Sequence, residues 1–446
     1  MAAGETIVAV ATPGGTGAVA LLRVSGPEAA GVIGRACGRD APFEDRRATL
    51  ATLRATDGSV IDHVLVTRFV APRSYTGEEV VEVSTHGGRL IVRRVLERLM
   101  ECGARAAGPG EFTERAFLNG KLDLTQAEAV MDLISAQSDL ALRAAHEQLE
   151  GGIGRRTEGL RQDLIETVAQ LEAWIDFPEE DIDPETGEAL AARMKAVRES
   201  IEALLATADQ GRILREGLRT VICGRPNAGK SSLLNALLGL DRAIVSETAG
   251  TTRDTIEELL VVEGVPLRVV DTAGLHHAGD AIEEEGIRRT LREAGRADLL
   301  LVVADATLPP DEALPGEVPE APRRINVLNK ADLDEAPGWD LPDALRVSSL
   351  DGRGIDELRQ RIRELAEFGE ADWGEQSVAI NARHRECLGR AREALAAAEQ
   401  SLAGGEDAEI TALSLREALD FLGEVAGRVD TEEILGSIFS RFCIGK

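Results

Sequence analysis

Nine consecutive residues, Gly224-Arg225-Pro226-Asn227-Ala228-Gly229-Lys230-Ser231-Ser232, constrain this chain more than any other stretch. They follow an apolar strand pattern (Val221, Ile222, Cys223) and open an apolar helix pattern (Leu233, Leu234, Ala236, Leu237, Leu238). Gly-x-x-x-x-Gly-Lys-Ser in that strand–loop–helix setting is a phosphate-binding loop. Glycine lets the backbone curl until successive N–H groups face one anionic centre, and the helix N-terminus adds partial positive charge. In such a loop Lys230 reaches the β and γ phosphates and Ser231 ligates Mg²⁺. A Gly-rich turn into a buried helix would spell the same letters, so the reading depends on the motifs downstream.

Those motifs arrive in the order a GTPase needs. Asp271-Thr272-Ala273-Gly274 ends a second apolar strand pattern (Leu267, Val269, Val270), placing a carboxylate at the metal and a Gly N–H at the γ-phosphate. Asn329-Lys330-Ala331-Asp332 ends a third (Ile325, Val327, Leu328). There Asp332 accepts from both the N1–H and the exocyclic amine of guanine, donors that adenine lacks. Ser348-Ser349-Leu350 follows a fourth strand and would back the base with a main-chain N–H, while Thr251-Thr252-Arg253-Asp254 occupies the place of a switch threonine. Five elements in register predict a Ras-like α/β P-loop GTPase domain over 213–374.

Composition bounds the rest. At 446 residues the chain has room for about three domains, and 43% hydrophobic residues exclude global disorder. The net charge is −28, and only five of the 50 basic residues are lysine. That acidity disfavours long-range attraction to a phosphate backbone, so any nucleic acid would need a local basic patch or a partner to bring it. Five scattered cysteines with no Cys-x-x-Cys pair argue against a disulfide framework or a zinc site. Met1 to Val10 does not read as a signal peptide and no apolar run reaches membrane-span length, so a soluble, cytoplasmic protein with no membrane partner is expected.

Residues 1–120 predict an α+β unit. Strands are expected over Thr6–Ala11, Gly17–Val24, Val64–Val70 and Glu79–Val83, with a helix over Leu90–Met100. The intervening turns read as plain connectors. From Leu124 to Gln210 the texture is helical, opened by a capping box of Thr125 and Glu128 and broken by the acidic loop Asp176–Pro184, whose carboxylates lack calcium-loop spacing. Helical periodicity returns from His384 to Phe442 (Leu388, Ala391, Leu395, Ala398, Leu413, Leu415, Leu419, Leu422, Val425). So short a segment cannot bury its own apolar faces. It is expected to pack on helices 124–210, giving an all-α helical domain in two parts, 121–212 and 375–446, with the GTPase domain inserted between them.

Two positions depart from the Ras pattern. After the Asp-x-x-Gly motif stands Leu275, which cannot orient a water. The nearby candidates are His276, His277, Asp280, Glu283, Glu284 and Glu285, and the pattern alone does not choose among them. Asn227 puts an amide inside the phosphate loop. Its oxygen could ligate a monovalent cation in place of an arginine's charge, or simply fix the loop by a hydrogen bond.

Taken whole, the chain resembles the tRNA-modification GTPase family called MnmE or TrmE along essentially its full length. The resemblance is carried by Ala9-Val10-Ala11-Thr12-Pro13, by Tyr75–Glu82 with His86-Gly87-Gly88, by Pro109–Leu124, by Gly224–Ser232 and by the terminal Cys443-Ile444-Gly445-Lys446. It implies that GTP hydrolysis drives formation of 5-carboxymethylaminomethyluridine at the tRNA wobble position. It also implies an FAD-containing MnmG (GidA) partner in a heterotetramer, and a one-carbon unit from 5-formyl- or methylene-tetrahydrofolate. The N-terminal domain (1–120) would form a homodimer and bind the folate through Arg23, Glu82, Lys121 and Lys446. Nucleotide contacts would run from Asn227 to Ser232, along Ser246-Glu247-Thr248-Ala249-Gly250-Thr251-Thr252, and through the motifs above. Mg²⁺ would be held by Ser231 and Thr252, and K⁺ by Asn227 with carbonyls of Ser246, Thr248 and Thr251. The resemblance makes Glu283 the catalytic glutamate and nominates Cys443 for the modification chemistry, against the alternative of a half-buried terminal thiol. Ser349 stands where the family usually has Ala, a change its main-chain N–H would not feel.

The rival reading is a switch GTPase of the Era or EngA type acting in ribosome assembly. Those proteins also combine such a phosphate loop with Leu after Asp-x-x-Gly. Against it stand the single GTPase domain, the absence of a Gly-x-x-Gly module after residue 374, and the unexplained 1–120 and Cys443–Lys446 segments.

Overall fold

Alternating apolar residues build the first sheet. β1 (Ile7–Val10), β2 (Val19–Ser25), β3 (Thr49–Arg54), β4 (Val60–Phe69), β5 (Val80–His86) and β6 (Arg105–Ala106) lie in the order β3-β4-β5-β2-β1-β6. All neighbours are antiparallel except β1 and β6. Val8, Leu22, Val24, Val64, Val66, Val81 and Val83 point to one face, against helices Ala29–Cys37 and Arg89–Glu101. Ile7 and Ala9 point to the other, under Phe112 of the short helix Glu111–Leu118. Sequence periodicity locates four of these strands and one helix to within a few residues. It overlooks β3, the two-residue β6, and the helices Ala29–Cys37 and Glu111–Leu118.

The computed structural model describes residues 4–176, 184–238, 257–270, 295–315, 321–366, 379–404, 408–427, 435, 438–440, 442 and 444–445. They fall into two compact units: Met1–Met131 with Gly154–Arg161 and Leu422–Lys446, and Asp132–Ile153 with Gln162–Phe421. In the first unit the chain returns to its own beginning. Ile444 bridges Pro109, Gly110 lies so close to Phe439 and Phe442 that a Cβ would clash, and Gly445 abuts the Val10 carbonyl.

The expected helical stretch 124–210 is resolved into Leu124–Ser135, Asp139–Leu149, Gly152–Asp176, Pro184–Ala206 and Ala208–Glu216. Its capping box is displaced from the expected pair. Asp123 Oδ1 accepts from Gln126 N at 2.8 Å and Gln126 Oε1 accepts from Asp123 N at 3.0 Å. Asp123 outcompetes Thr125 because its carboxylate takes the Thr125 hydroxyl as well, at 2.7 Å. In the second unit the helix Ala382–Gly404 packs along Pro184–Ala206, tied by Arg198 to Glu399 at 3.1 Å.

The second sheet runs β12-β11-β10-β7-β9-β8. Its strands are β7 (Leu218–Cys223), β8 (Glu257–Val262), β9 (Val265–Val270), β10 (Leu299–Asp305), β11 (Arg323–Asn329) and β12 (Leu345–Arg346). Only β8 is antiparallel to its neighbour. The centre is continuously apolar, every residue of β10 being buried, as parallel strands covered on both faces require. A parallel doubly wound sheet collects its loops at the carboxyl ends of its strands, and ligands bind there. No helix among the described residues is long and apolar enough to cross a membrane.

Candidate nucleotide site and N-terminal polar site

The phosphate loop leaves β7 at that carboxyl edge and enters helix Lys230–Leu238. Gly224 has φ 155°, and a Cβ on it would collide with the Val303 carbonyl of β10. Gly229 has φ 89°, and its Cβ would collide with Asn329 Nδ2. Only glycine fits either place. Asn227 adopts φ 60°, a left-handed conformation that asparagine tolerates, and its side chain is exposed at the loop tip. Lys230 Nζ lies across the loop, donating to the carbonyls of Gly224 and Arg225 at 2.9 Å each. Ser231 stands half-buried in the first turn of the helix, and Ser232 beside it is exposed.

The Asn329-Lys330-Ala331-Asp332 loop is tied directly to this one. Asn329, 2% exposed, donates Nδ2–H to the Ala228 carbonyl at 2.9 Å. Its Oδ1 accepts from the Ser349 hydroxyl at 2.9 Å and from the Ser349 main-chain N–H at 3.2 Å. That N–H, expected to back the base, is here directed at Asn329. The buried Ser348 hydroxyl accepts from the N–H groups of Leu350 and Asp351 at 3.3 and 3.2 Å, leaving the Leu350 side chain 87% exposed. Asp332 presents a half-buried carboxylate with no hydrogen-bond partner among the described residues. Lys330 takes a left-handed φ of 68° and pairs with Asp305 at the end of β10. Burial pushes the Asp305 carboxyl upward, but hydrogen bonds from Lys330 and Thr307 outweigh it and hold the group below the usual range.

Sequence reasoning passed over β10 and Asp305, although a run of six apolar residues, Leu299 to Ala304, closing on an aspartate was there to be read. Several expected site residues lie outside the described residues: Ser246, Glu247, Thr248, Ala249, Gly250, Thr251, Thr252, Asp271, Thr272, Ala273, Gly274, Glu283, Cys443 and Lys446.

In the N-terminal unit, register rather than motif creates the polar site. Arg23 on β2 faces Glu82 on β5, and its Nε and a terminal nitrogen donate to Oε1 at 3.0 and 2.8 Å. The guanidinium also lies 5.2 Å from the Tyr75 ring centroid and 5.8 Å from that of Phe112, within cation–π range. Tyr75 is fixed by Thr113, their hydroxyls 2.9 Å apart. Burial pushes its phenol pKa up, against the opposing effects of that bond and of Arg23. Lys121 is exposed and donates to the Pro72 carbonyl at 3.2 Å, reaching the loop that carries Tyr75. Tyr75 and Phe112 were not anticipated as partners of Arg23.

A parallel sheet, a glycine-walled phosphate loop and an Asn-Lys-x-Asp base loop locked to it define a P-loop GTPase. The comparisons with known proteins extend this to the whole chain. Residues 6–121 match the family model described as GTP-binding protein TrmE N-terminus, and residues 124–443 match the MnmE helical domain. A protein named tRNA modification GTPase MnmE from Akkermansia muciniphila is 52% identical over 447 residues, covering 99% of each chain. One of the same name from Geobacter sulfurreducens is 44% identical over 459 residues, again covering 99% of each. The chain belongs to the MnmE family of tRNA modification GTPases.

Proposed function

We propose that this chain is a K⁺-activated GTP hydrolase that drives formation of 5-carboxymethylaminomethyluridine at the tRNA wobble position. It would act as a cytoplasmic homodimer in a heterotetramer with an FAD-containing MnmG (GidA) partner, which brings most of the tRNA contact. The observation that carries the reading is the locking of Asn329 onto Ala228, which sets the base loop and the phosphate loop as one rigid unit. Membership of the family over 99% of the chain supports the tRNA-modifying role.

Within that reading 213–374 is the nucleotide domain, 121–212 and 375–446 are the two parts of the helical domain, and 1–120 is the folate-binding and dimerisation domain. The backbone N–H groups of Asn227 to Ser232 bind the phosphates, and Asp332 reads guanine. Ser231, at a helix N-terminus where an anion and its metal meet, would hold Mg²⁺ together with Thr252. The Asn227 amide, exposed at the loop tip, would hold K⁺ with Ser246, Thr248 and Thr251. Bound there, the cation supplies positive charge at the phosphates. Glu283 orients the attacking water. Arg23, Glu82 and Lys121, with Lys446, form the folate site. Its donor set suits the molecule, since a guanidinium and a carboxylate beside an aromatic wall match an aminopteridine edge and ring.

GTP turnover measured in K⁺ and in Na⁺ at equal ionic strength, for wild type and Glu283→Ala, tests the proposal. Strong K⁺ stimulation is expected, lost in the variant while GTP still binds. Equal rates in the two salts would remove the cation site and return the chain to the generic switch class. Activity surviving in Glu283→Ala would reassign the water to another switch carboxylate.

A further inference from the structure

The carboxylate at the end of β10 belongs to none of the nucleotide motifs, yet it is built into the base loop. Asp305 is 7% exposed; its Oδ2 lies 2.5 Å from Lys330 Nζ, and its Oδ1 accepts from Thr307 N and Oγ1 at 3.0 and 2.7 Å. The two loops are also stitched through their backbones: Ala306 N donates to the Asn329 carbonyl at 3.0 Å and Ala336 N to the Ala306 carbonyl at 2.9 Å. Lys330 is the residue under strain. A left-handed φ of 68° on a side chain longer than asparagine costs about 1 kcal/mol or more and persists only where the surroundings enforce it. A charge-assisted bond to a nearly buried, fully hydrogen-bonded carboxylate is such an enforcement.

Asp332 lies two residues beyond Lys330, and hydrogen bonds weaken steeply with misalignment. A Lys330 that relaxed out of the left-handed region would swing the chain that carries Asp332. We propose that Asp305 is a positioning residue for base recognition: by holding Lys330 it sets the direction in which Asp332 meets the Watson–Crick edge of the base. The inference rests on the reading of Asp332 as the guanine acceptor.

The full-length protein is titrated with fluorescent GTP and ITP analogues, as wild type, Asp305→Asn, Lys330→Ala and the double variant. ITP lacks the exocyclic amine, so the GTP-to-ITP preference reports how well Asp332 is aimed. A role confined to folding would weaken both nucleotides alike. Asp305→Asn keeps the shape and the Thr307 bonds but removes the charge. It is expected to weaken GTP about tenfold and ITP distinctly less, narrowing the preference, because a hydrogen bond to a charged group is lost or misdirected. Since Asp305 acts through Lys330, the double variant should be no worse than Lys330→Ala alone. Equal losses for the two nucleotides, or additive losses in the double variant, overturn the proposal. If Asp305→Asn does not fold, Thr307→Val, which loosens the carboxylate and keeps its charge, is expected to narrow the preference by a smaller factor. An unchanged ratio there overturns it equally. Asp332→Asn, titrated with XTP, separates this idea from the reading beneath it. Its amide would donate to the extra carbonyl of xanthine, so XTP binding should appear. If it does not, the guanine reading itself fails. If it does while Asp305→Asn keeps the wild-type ratio, only the role of Asp305 fails.

Discussion

In the GTPase sheet the candidate site groups sit on loops beyond the strand ends, whereas in the N-terminal sheet the polar cluster sits in mid-strand. The first arrangement spends backbone conformation: Gly224, Asn227, Gly229 and Lys330 all hold positive φ within the loops that approach one another. The second spends side-chain pairing: Arg23 meets Glu82 only because β2 and β5 are in a particular antiparallel register. A site made of backbone leaves its mark as a contiguous motif. A site made of register leaves two ordinary residues 59 positions apart.

If that contrast is right, the two regions should fail differently and independently. The largest effect is expected from Gly229→Ala. Its Cβ would displace Asn329 and force a side chain to φ 89°, costing about 3 kcal/mol, or roughly 100-fold in GTP affinity by fluorescent nucleotide titration. Unfolding of the N-terminal sheet should not move. Loss of stability there instead would show that the two sheets do not behave separately.

The next effect lies in the N-terminal unit. Glu111, 5% exposed, accepts from Arg105 at 2.8 and 2.6 Å, from Arg115 at 2.9 Å and from Gly108 N at 2.8 Å. Burial alone would raise its pKa, but the hydrogen bonds from Arg105, Gly108 and Arg115 prevail and lower it from 4.5 to about 2. A depressed folded-state value stabilises above the unfolded-state value. The contribution of Glu111 is therefore complete above about pH 4.5 and lost as pH falls toward about 2. Glu111→Ala should cost about 2 kcal/mol by removing a nearly buried carboxylate from Arg105 and Arg115, which keep Glu5 and Glu78 as partners. It should also flatten the acid limb of the thermal-stability profile and leave GTP affinity unchanged.

The smallest effect sharpens the helical boundary: Asp123→Ala should lower thermal stability by about 1 kcal/mol through loss of the cap, and Thr125→Ala by less.

The same contrast explains what could be read from the letters. The phosphate loop after β7 and the Asn-Lys-x-Asp loop after β11 are legible because each motif needs its own backbone geometry locally. Asp305 could be read as the end of an apolar run, but not as the partner of Lys330, which lies just beyond the end of the neighbouring strand β11 and which only the sheet order brings alongside. Tyr75 and Phe112 converge on Arg23 from a loop and a helix that no periodicity joins, and the family resemblance, not the pattern, singled out Arg23. Asp123 was within reach, since an aspartate three residues before a glutamine is itself a capping signature.

The return of Phe439, Phe442, Ile444 and Gly445 to Val10 and the Pro109-Gly110 turn has a consequence for how the protein is made. Domains generally fold as they leave the ribosome, N-terminal first. Here the segment that packs on Val10, Pro109 and Gly110 is separated from them by every strand of the nucleotide sheet. The N-terminal sheet can thus form early during translation, while the packing of its unit around Val10, Pro109 and Gly110 is completed only after the nucleotide sheet has been made.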